Sequence, residues 1–296
     1  MSVHHHKVNA KNLFIAIILN IIITIAQLIG GLISGSLALL SDAIHNFSDV
    51  ISLITAYGAN RLATRPSDIE KTFGYRRAEI IAALFNSATL IAISIYIMIE
   101  AFNRLYHPEP IDSILVIILG ILGIIVNGFS VLIVKHDAKK NMNMKAAYLH
   151  LLADVMTSVA VVLGGVLMHY FNLFWIDPII SILIAIYLLW ASFALLKSAI
   201  FVLMHFTPVD IDVNDVIQTI TEQEQIDNIH HLHLWQLDDS RIHLEAHLDF
   251  NENIQLQEST DVIDLLEKKL NKEFGISHIT FQCEYNRCDN KEMINK

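Results

Sequence analysis

Charge is scarce in this sequence. Only 17% of its 296 residues are Asp, Glu, Lys or Arg, while 54% are hydrophobic and the mean hydropathy is +0.49; a soluble globular chain carries about 25% charged residues. The shortage excludes a chain bathed in water over its whole surface. Cysteine is scarcer still. Cys283 and Cys288 are the only two, too few for a disulfide framework, and reduced thiols are expected if that end is cytosolic. Nothing resembles a nucleotide-binding P-loop, which argues against a nucleotide-driven pump. There is no His-Glu-x-x-His and no set of repeated histidine boxes, so a membrane metalloenzyme is not expected. The first apolar run, Leu13 to Ile33, is too long for a signal-peptide core and shows no small-residue cleavage site. It reads as a retained membrane helix. The triplet His4-His5-His6 is short for an expression tag.

What the chain does have is long apolar runs. A membrane helix needs about 20 apolar residues, and six stretches qualify: 11–33, 37–61, 78–103, 111–134, 145–170 and 177–203. Gly30-Gly31 with Ser34-Gly35-Ser36, the pair Pro108 and Pro110, and Asn172 with Asp177-Pro178 punctuate them. Lysine and arginine alternate from loop to loop. Lys7 and Lys11 precede the first span. Arg61, Arg65, Lys71, Arg76 and Arg77 mark the second loop, and Lys135, Lys139, Lys140 and Lys145 the fourth. The first and fifth loops have neither residue type, and the third has only Arg104 at its edge. The positive-inside rule then puts both termini in the cytoplasm, as an even number of spans requires. Compact loops favour a bacterial inner membrane as the compartment.

The formal net charge of −10 misleads as an average, because much of the acid follows residue 209. Two chemistries predict two domains, a membrane domain over 1–206 and a cytosolic domain over 207–296. In the second, Asp212 to Gln223 reads as an amphipathic helix. Ile229 to Leu237 and Arg241 to Phe250 alternate with period two around an Asp238-Asp239-Ser240 turn. Leu256 to Phe274 reads as a helix stopped by Gly275, and Ile276 to Glu284 as a third strand. The expected fold class is a membrane all-α six-helix bundle plus a small α+β, ferredoxin-like αββαβ domain.

Ionisable groups at mid-bilayer cost several kcal/mol and mark function by default. The second span holds His45 and Asp49, and the fifth holds His150 and Asp154. Each is His-x-x-x-Asp, which puts both side chains on one helix face, a turn apart. Two such faces would supply two imidazoles and two carboxylates, a tetrahedral set suited to Zn²⁺, and the cation would neutralise the buried acids. A structural hydrogen-bonded pair and a proton relay are the competing readings. Asp42, one turn from His45 on nearly the same face, is an auxiliary candidate: a spare ligand, a proton acceptor or a partner behind the ligands. Histidine binds metal only when neutral, so metal and protons compete. A site open to each side in turn would exchange Zn²⁺ for H⁺ as a secondary transporter. Asn20, Asn86 and Asn127 are expected to make helix-to-helix hydrogen bonds, and Glu100 to reach water or an arginine.

Four ordered segments carry a family resemblance over nearly the whole chain: 36–49 (SLALLSDAIHNFSD), 72–79 (TFGYRRAE), 141–154 (NMNMKAAYLHLLAD) and 230–235 (HHLHLW). The chain resembles the cation diffusion facilitator family of zinc transporters. The resemblance implies a homodimer with a metallochaperone-like cytosolic domain, exporting Zn²⁺ from the cytosol against H⁺ through His45, Asp49, His150 and Asp154. Divalent ions, protons and the lipid bilayer would be its other partners, and no nucleic acid is expected. The two-His, two-Asp set resembles the zinc-selective branch. A second site that some members build near the Phe-Gly segment is expected to be absent, because Lys71 and Tyr75 stand at its histidine positions and Asp68 alone remains. The histidine-rich fourth loop of some members is lysine-rich here, with only His136.

Period two puts His231 and His233 on one strand face and His230 on the other. Family members bind regulatory zinc in this domain, and the matching positions are His230 and His247. For the third strand Cys283 stands where some members place a carboxylate, with His278 and Glu284 also in reach. Zn²⁺ would then be both transported substrate and regulatory ligand. His4 to His6 and Cys288 could join in, as an N-terminal motif does in some relatives. The alternative function is a membrane-anchored metal sensor, for which intramembrane ligands on two spans would be needless cost.

Overall fold

Six apolar helices precede a small mixed domain. The computed structural model describes residues 10–63, 65–135, 142–238 and 240–287; His4 to His6, His136, Lys139, Lys140 and Cys288 lie outside them. The helices are α1 (Ala10–Ser34), α2 (Leu37–Ala63), α3 (Ala78–Tyr106), α4 (Ser113–Val134), α5 (Met142–Phe171) and α6 (Ile176–Leu203). Among the described residues α2 to α6 are each long and apolar enough to cross a membrane, and Ile18–Ser34 of α1 adds a shorter apolar stretch. Large apolar side chains face outward along them, Leu32, Phe85, Leu132 and Trp190 among them, as a lipid-solvated surface requires.

The ends of these helices are fixed by polar groups. Asp112 accepts from the Leu115 amide and caps α4. Asp177 and Pro178 do not break the fifth helix from the sixth, as the sequence suggests; they lie in the first turn of α6, and residues 172–175 form the break. Proline there loses no intrahelical bond. Asp177, wholly buried, reaches the start of α2: it accepts from Ser36 Oγ at 2.5 Å, the Leu37 amide at 2.8 Å and the Ala38 amide at 3.3 Å. A carboxylate at a helix N-terminus satisfies orphan amides and complements the dipole. Arg104 pairs with Glu100 at 3.0 Å and Glu109 at 3.3 Å. Of the three asparagines, only Asn86 bridges helices, through Ser48 and Ser52. Asn20 accepts from Thr24 one turn along its own helix, and the buried Asn127 Oδ1 makes no hydrogen bond. Asp68 is held in its turn by the Glu70 and Lys71 amides and by Lys71 Nζ at 3.3 Å.

Contacts divide the chain into two compact units, Met1–Ala56 with Phe85–Leu195, and Tyr57–Leu84 with Leu196–Lys296. In the first, Leu39 and Val116 are fully buried with Val161, Met168 and Leu188.

In the second unit α7 (Val213–Thr221), β1 (Ile226–Asp238), β2 (Arg241–Phe250), α8 (Leu256–Phe274) and β3 (Ile276–Glu284) follow in the αββαβ order. The sheet order is β1-β2-β3, with β2 antiparallel to β1 and parallel to β3. Val262, Leu266 and Leu270 form the apolar stripe of α8 against Ile229, Leu244 and Leu248 of the sheet. Gly275 ends α8 at φ 70°, the left-handed cap glycine adopts without strain. β1 begins at Ile226, three residues before the reading of Ile229, and it bulges between His230 and His233, with His231 at φ 56°. The bulge explains why strict alternation fails there: His230 and His231 do not separate cleanly to opposite faces, and both rings lie beside His247, with centroids at 5.1 and 4.8 Å.

Candidate metal centre

The α2 and α5 helices each run unbroken through their His-x-x-x-Asp segment, so each offers its pair on one face. The faces meet. His45 Nε2 lies 3.1 Å from Asp154 Oδ1 and 3.9 Å from Asp49 Oδ2, and His150 Nε2 lies 3.2 Å from Asp49 Oδ2. One ligand atom from each of the four residues lies within 4.8 Å of all the others. That spacing lets a single ion touch two imidazole nitrogens and two carboxylate oxygens. His45 and Asp154 are buried, whereas Asp49 and His150 are open on one side. The His45 and His150 rings meet edge-on at 5.7 Å, and Tyr187 of α6 packs edge-on against His45 at 5.9 Å. Tyr187 was missed by sequence reasoning because nothing along the chain links it to the pairs. Asp42 is not one of the four; its carboxylate accepts from Thr157 and Ser158 of α5, and Thr157 Oγ1 also lies 2.8 Å from the Asp154 carbonyl oxygen.

A second cluster lies on the sheet. His230, His247 and Glu284 converge with ligand atoms within 4.8 Å. Glu284 Oε1 is 2.9 Å from His247 Nδ1, and Glu284 Oε2 is 3.6 Å from His230 Nε2. Neither ring nitrogen of His230 makes a hydrogen bond although the residue is 2% exposed. Buried polar atoms are rarely left so. Asp249 Oδ2, at 3.6 Å from His230 Nδ1, is a neighbour that the sequence reading missed; the signal was its position two residues after His247 on β2, which puts both on one strand face. Of the third-strand candidates the fold brings in Glu284 and leaves out Cys283 and His278. Cys283 is the residue before Glu284 on β3 and pairs with Leu248, so alternation turns it from Glu284's face. Partial burial also pushes its thiol pKa up, which disfavours the thiolate that a metal needs. His278 pairs across the strands with His243, ring to ring at 4.8 Å.

The pattern of residues has counterparts. The family model for the cation efflux transmembrane domain matches residues 13–204, and that for the cation efflux protein cytoplasmic domain matches 208–286. The chain belongs to the cation efflux family. Among curated relatives, a "cadmium, cobalt and zinc/H(+)-K(+) antiporter" of Bacillus subtilis is 39% identical over 95% of this chain and 91% of its own. The "metal cation efflux system protein CzcD" of Cupriavidus metallidurans is 34% identical over 96% of this chain and 90% of its own. The "zinc transporter ZitB" of Escherichia coli is 30% identical over 95% and 89%. Membership in the cation efflux family makes this an integral membrane protein built for cation transport, and the apolar helices agree with it.

Proposed function

We propose that this protein is a secondary transporter that exports Zn²⁺ from the cytosol in exchange for H⁺, and that His45, Asp49, His150 and Asp154 hold the ion in transit. The observation that carries this reading is the meeting of two His–Asp pairs from α2 and α5 among apolar helices. Buried carboxylates need a compensating cation, and a divalent ion on two carboxylates leaves the site neutral. Protons replace it when it leaves. His45 and His150 take them on ring nitrogens that the metal has vacated, so inward H⁺ movement resets the site. The relatives' printed substrates, zinc with cadmium and cobalt, support a divalent cargo. Zn²⁺ suits the nitrogen and oxygen donors and binds such sets more tightly than Co²⁺.

The remaining assignments belong to the same reading. Residues 1–206 form the membrane domain and 207–296 a cytosolic one, both termini face the cytoplasm of a bacterial inner membrane, and two copies pair through the cytosolic domain. His230, His247 and Glu284, with Asp249 beside them, hold a regulatory Zn²⁺; the two buried ring nitrogens of His230 that make no hydrogen bond support this. Neither cluster serves as a hydrolytic centre, so the protein is not an enzyme.

Zn²⁺ uptake into proteoliposomes under an imposed pH gradient tests the proposal. Wild type takes up metal only with the gradient, and Asp154→Ala does not take it up. Gradient-independent or absent uptake by folded wild type would sink the exchange reading and bring forward the membrane-anchored sensor, whose output would survive loss of His45 or Asp154.

A further inference from the structure

Beyond the four proposed ligands, a second polar cluster is sealed between α1, α2, α4 and α5. Asp42 is 1% exposed, and Gln27 and Ser158 are not exposed at all. Thr157 Oγ1 donates to Asp42 Oδ1 at 2.8 Å, and Ser158 Oγ donates to Asp42 Oδ2 at 3.0 Å. The Gln27 amide closes the cluster. Its Nε2 lies 3.5 Å from Asp42 Oδ2 and 3.5 Å from the Leu119 carbonyl, while its Oε1 makes no hydrogen bond. Gly123 leaves the room: a Cβ there would come within 2.5 Å of Gln27 Nε2.

Two features of this cluster are left unmet by the protein itself. Among the described residues no cationic side chain is in ion-pair contact with Asp42. The orphan Gln27 oxygen is a buried acceptor without a donor, which costs free energy in hydrocarbon surroundings. One occupant answers both. We propose that Asp42, Thr157, Ser158 and Gln27 bind a dehydrated monovalent alkali cation, Na⁺ or K⁺, at a site separate from the two His–Asp pairs. The donors are oxygens only: a carboxylate, two hydroxyls that keep their lone pairs after donating, an amide oxygen, and the Leu119 carbonyl nearby. Such donors suit hard cations, and the set lacks the imidazole or thiolate that Zn²⁺ favours. A single carboxylate balances one positive charge. A divalent ion would leave an excess charge buried. Asp42 lies on α2 and its hydroxyl partners on α5, the same helices that carry the His–Asp pairs, so the alkali ion holds the two helices in one relation.

The test measures the melting temperature of the purified full-length protein in detergent, at fixed pH and with a chelator present. NaCl, KCl and N-methylglucamine chloride are compared at equal ionic strength. The expected result is a saturable rise of about 2–4 °C with Na⁺ or K⁺ over N-methylglucamine, and the salt that gives it identifies the ion. Gln27→Leu and Thr157→Val abolish the rise, whereas Asp154→Ala keeps it; Thr157→Val preserves side-chain shape and guards against misfolding of the other variant. Equal melting in all three salts, the result expected if a water or a proton fills the cluster, would overturn the proposal. So would a rise that survives in Thr157→Val. Because no zinc enters the readout, failure of the Zn²⁺/H⁺ reading leaves this test intact.

Discussion

His45 is buried against Asp154 while its neighbour Asp49 opens toward His150, so the four residues do not contribute alike. Removing the buried imidazole takes away a donor and leaves Asp154 without its partner. In a Glu284→Ala background, which silences the sheet cluster, His45→Ala lowers Zn²⁺ affinity by at least about 100-fold by calorimetry. Another single-residue effect lies on the sheet. Burial, helped by the neighbouring His278 and Arg241, lowers the His243 pKa below its ordinary value near 6.5. Below that value the unfolded chain protonates this histidine while the folded one still resists. The stability it contributes is therefore complete above about pH 6.5 and is lost as pH falls toward the depressed folded value. Protection factors of the β1 and β2 amides in the full-length protein, corrected for intrinsic exchange, fall between neutral and mildly acid pH, and His243→Phe flattens that dependence.

At the scale of the elements, α2 is positioned by what meets its first turns. Asp177 holds the Ser36 hydroxyl and the Leu37 and Ala38 amides from α6, and this fixes where His45 and Asp49 stand along the helix. Asp177→Ala leaves those buried donors unmatched and destabilises the protein by about 1–3 kcal/mol, seen as a lower melting temperature together with reduced Zn²⁺ uptake. Asp177→Asn, which keeps an acceptor oxygen, loses less of both. The contact of α1 with α2 depends on Gly31, where an added Cβ would come 3.0 Å from the Leu40 backbone. Backbone cannot give way as a side-chain tip can. Gly31→Ala costs about 1–3 kcal/mol of overpacking, measured by the same melting experiment.

For the whole molecule the proposed exchange rests on the competition of two kinds of cation for one set of donors. With both imidazoles in the site, each must be free of its proton when metal binds. As pH falls, apparent Zn²⁺ affinity of the Glu284→Ala protein falls by up to about 100-fold per pH unit, a factor of about ten for each proton that the metal must displace. A titration series across pH checks this, and a pH-independent affinity would remove the basis for exchange. Under the proposed exchange the same competition couples transport to the pH gradient, because protons then stand in for the ion beside the Asp49 and Asp154 carboxylates.

The sequence by itself determined the six apolar helices to within a few residues, the αββαβ order of the C-terminal part, and the two His–Asp pairs. Each of these is local: a hydrophobic length, a period of two, a spacing of four. Where the reading fell short, the cause was contact between distant segments. Asp177 reads as a loop breaker until its partners at the start of α2 are seen. Strand alternation separates His230 from His231 until the bulge in β1 brings both beside His247. Of the third-strand candidates the resemblance points first to Cys283, with His278 and Glu284 in reach; only Glu284 faces the histidines, because the parallel register of β3 on β2 sets the side from which each side chain projects. Nothing along the chain links Gln27 to another span; packing places it against Asp42 and Leu119. Spacing along a chain determines which residues share a face; only the packed structure decides which faces meet, since that depends on register and on space left by residues such as Gly123.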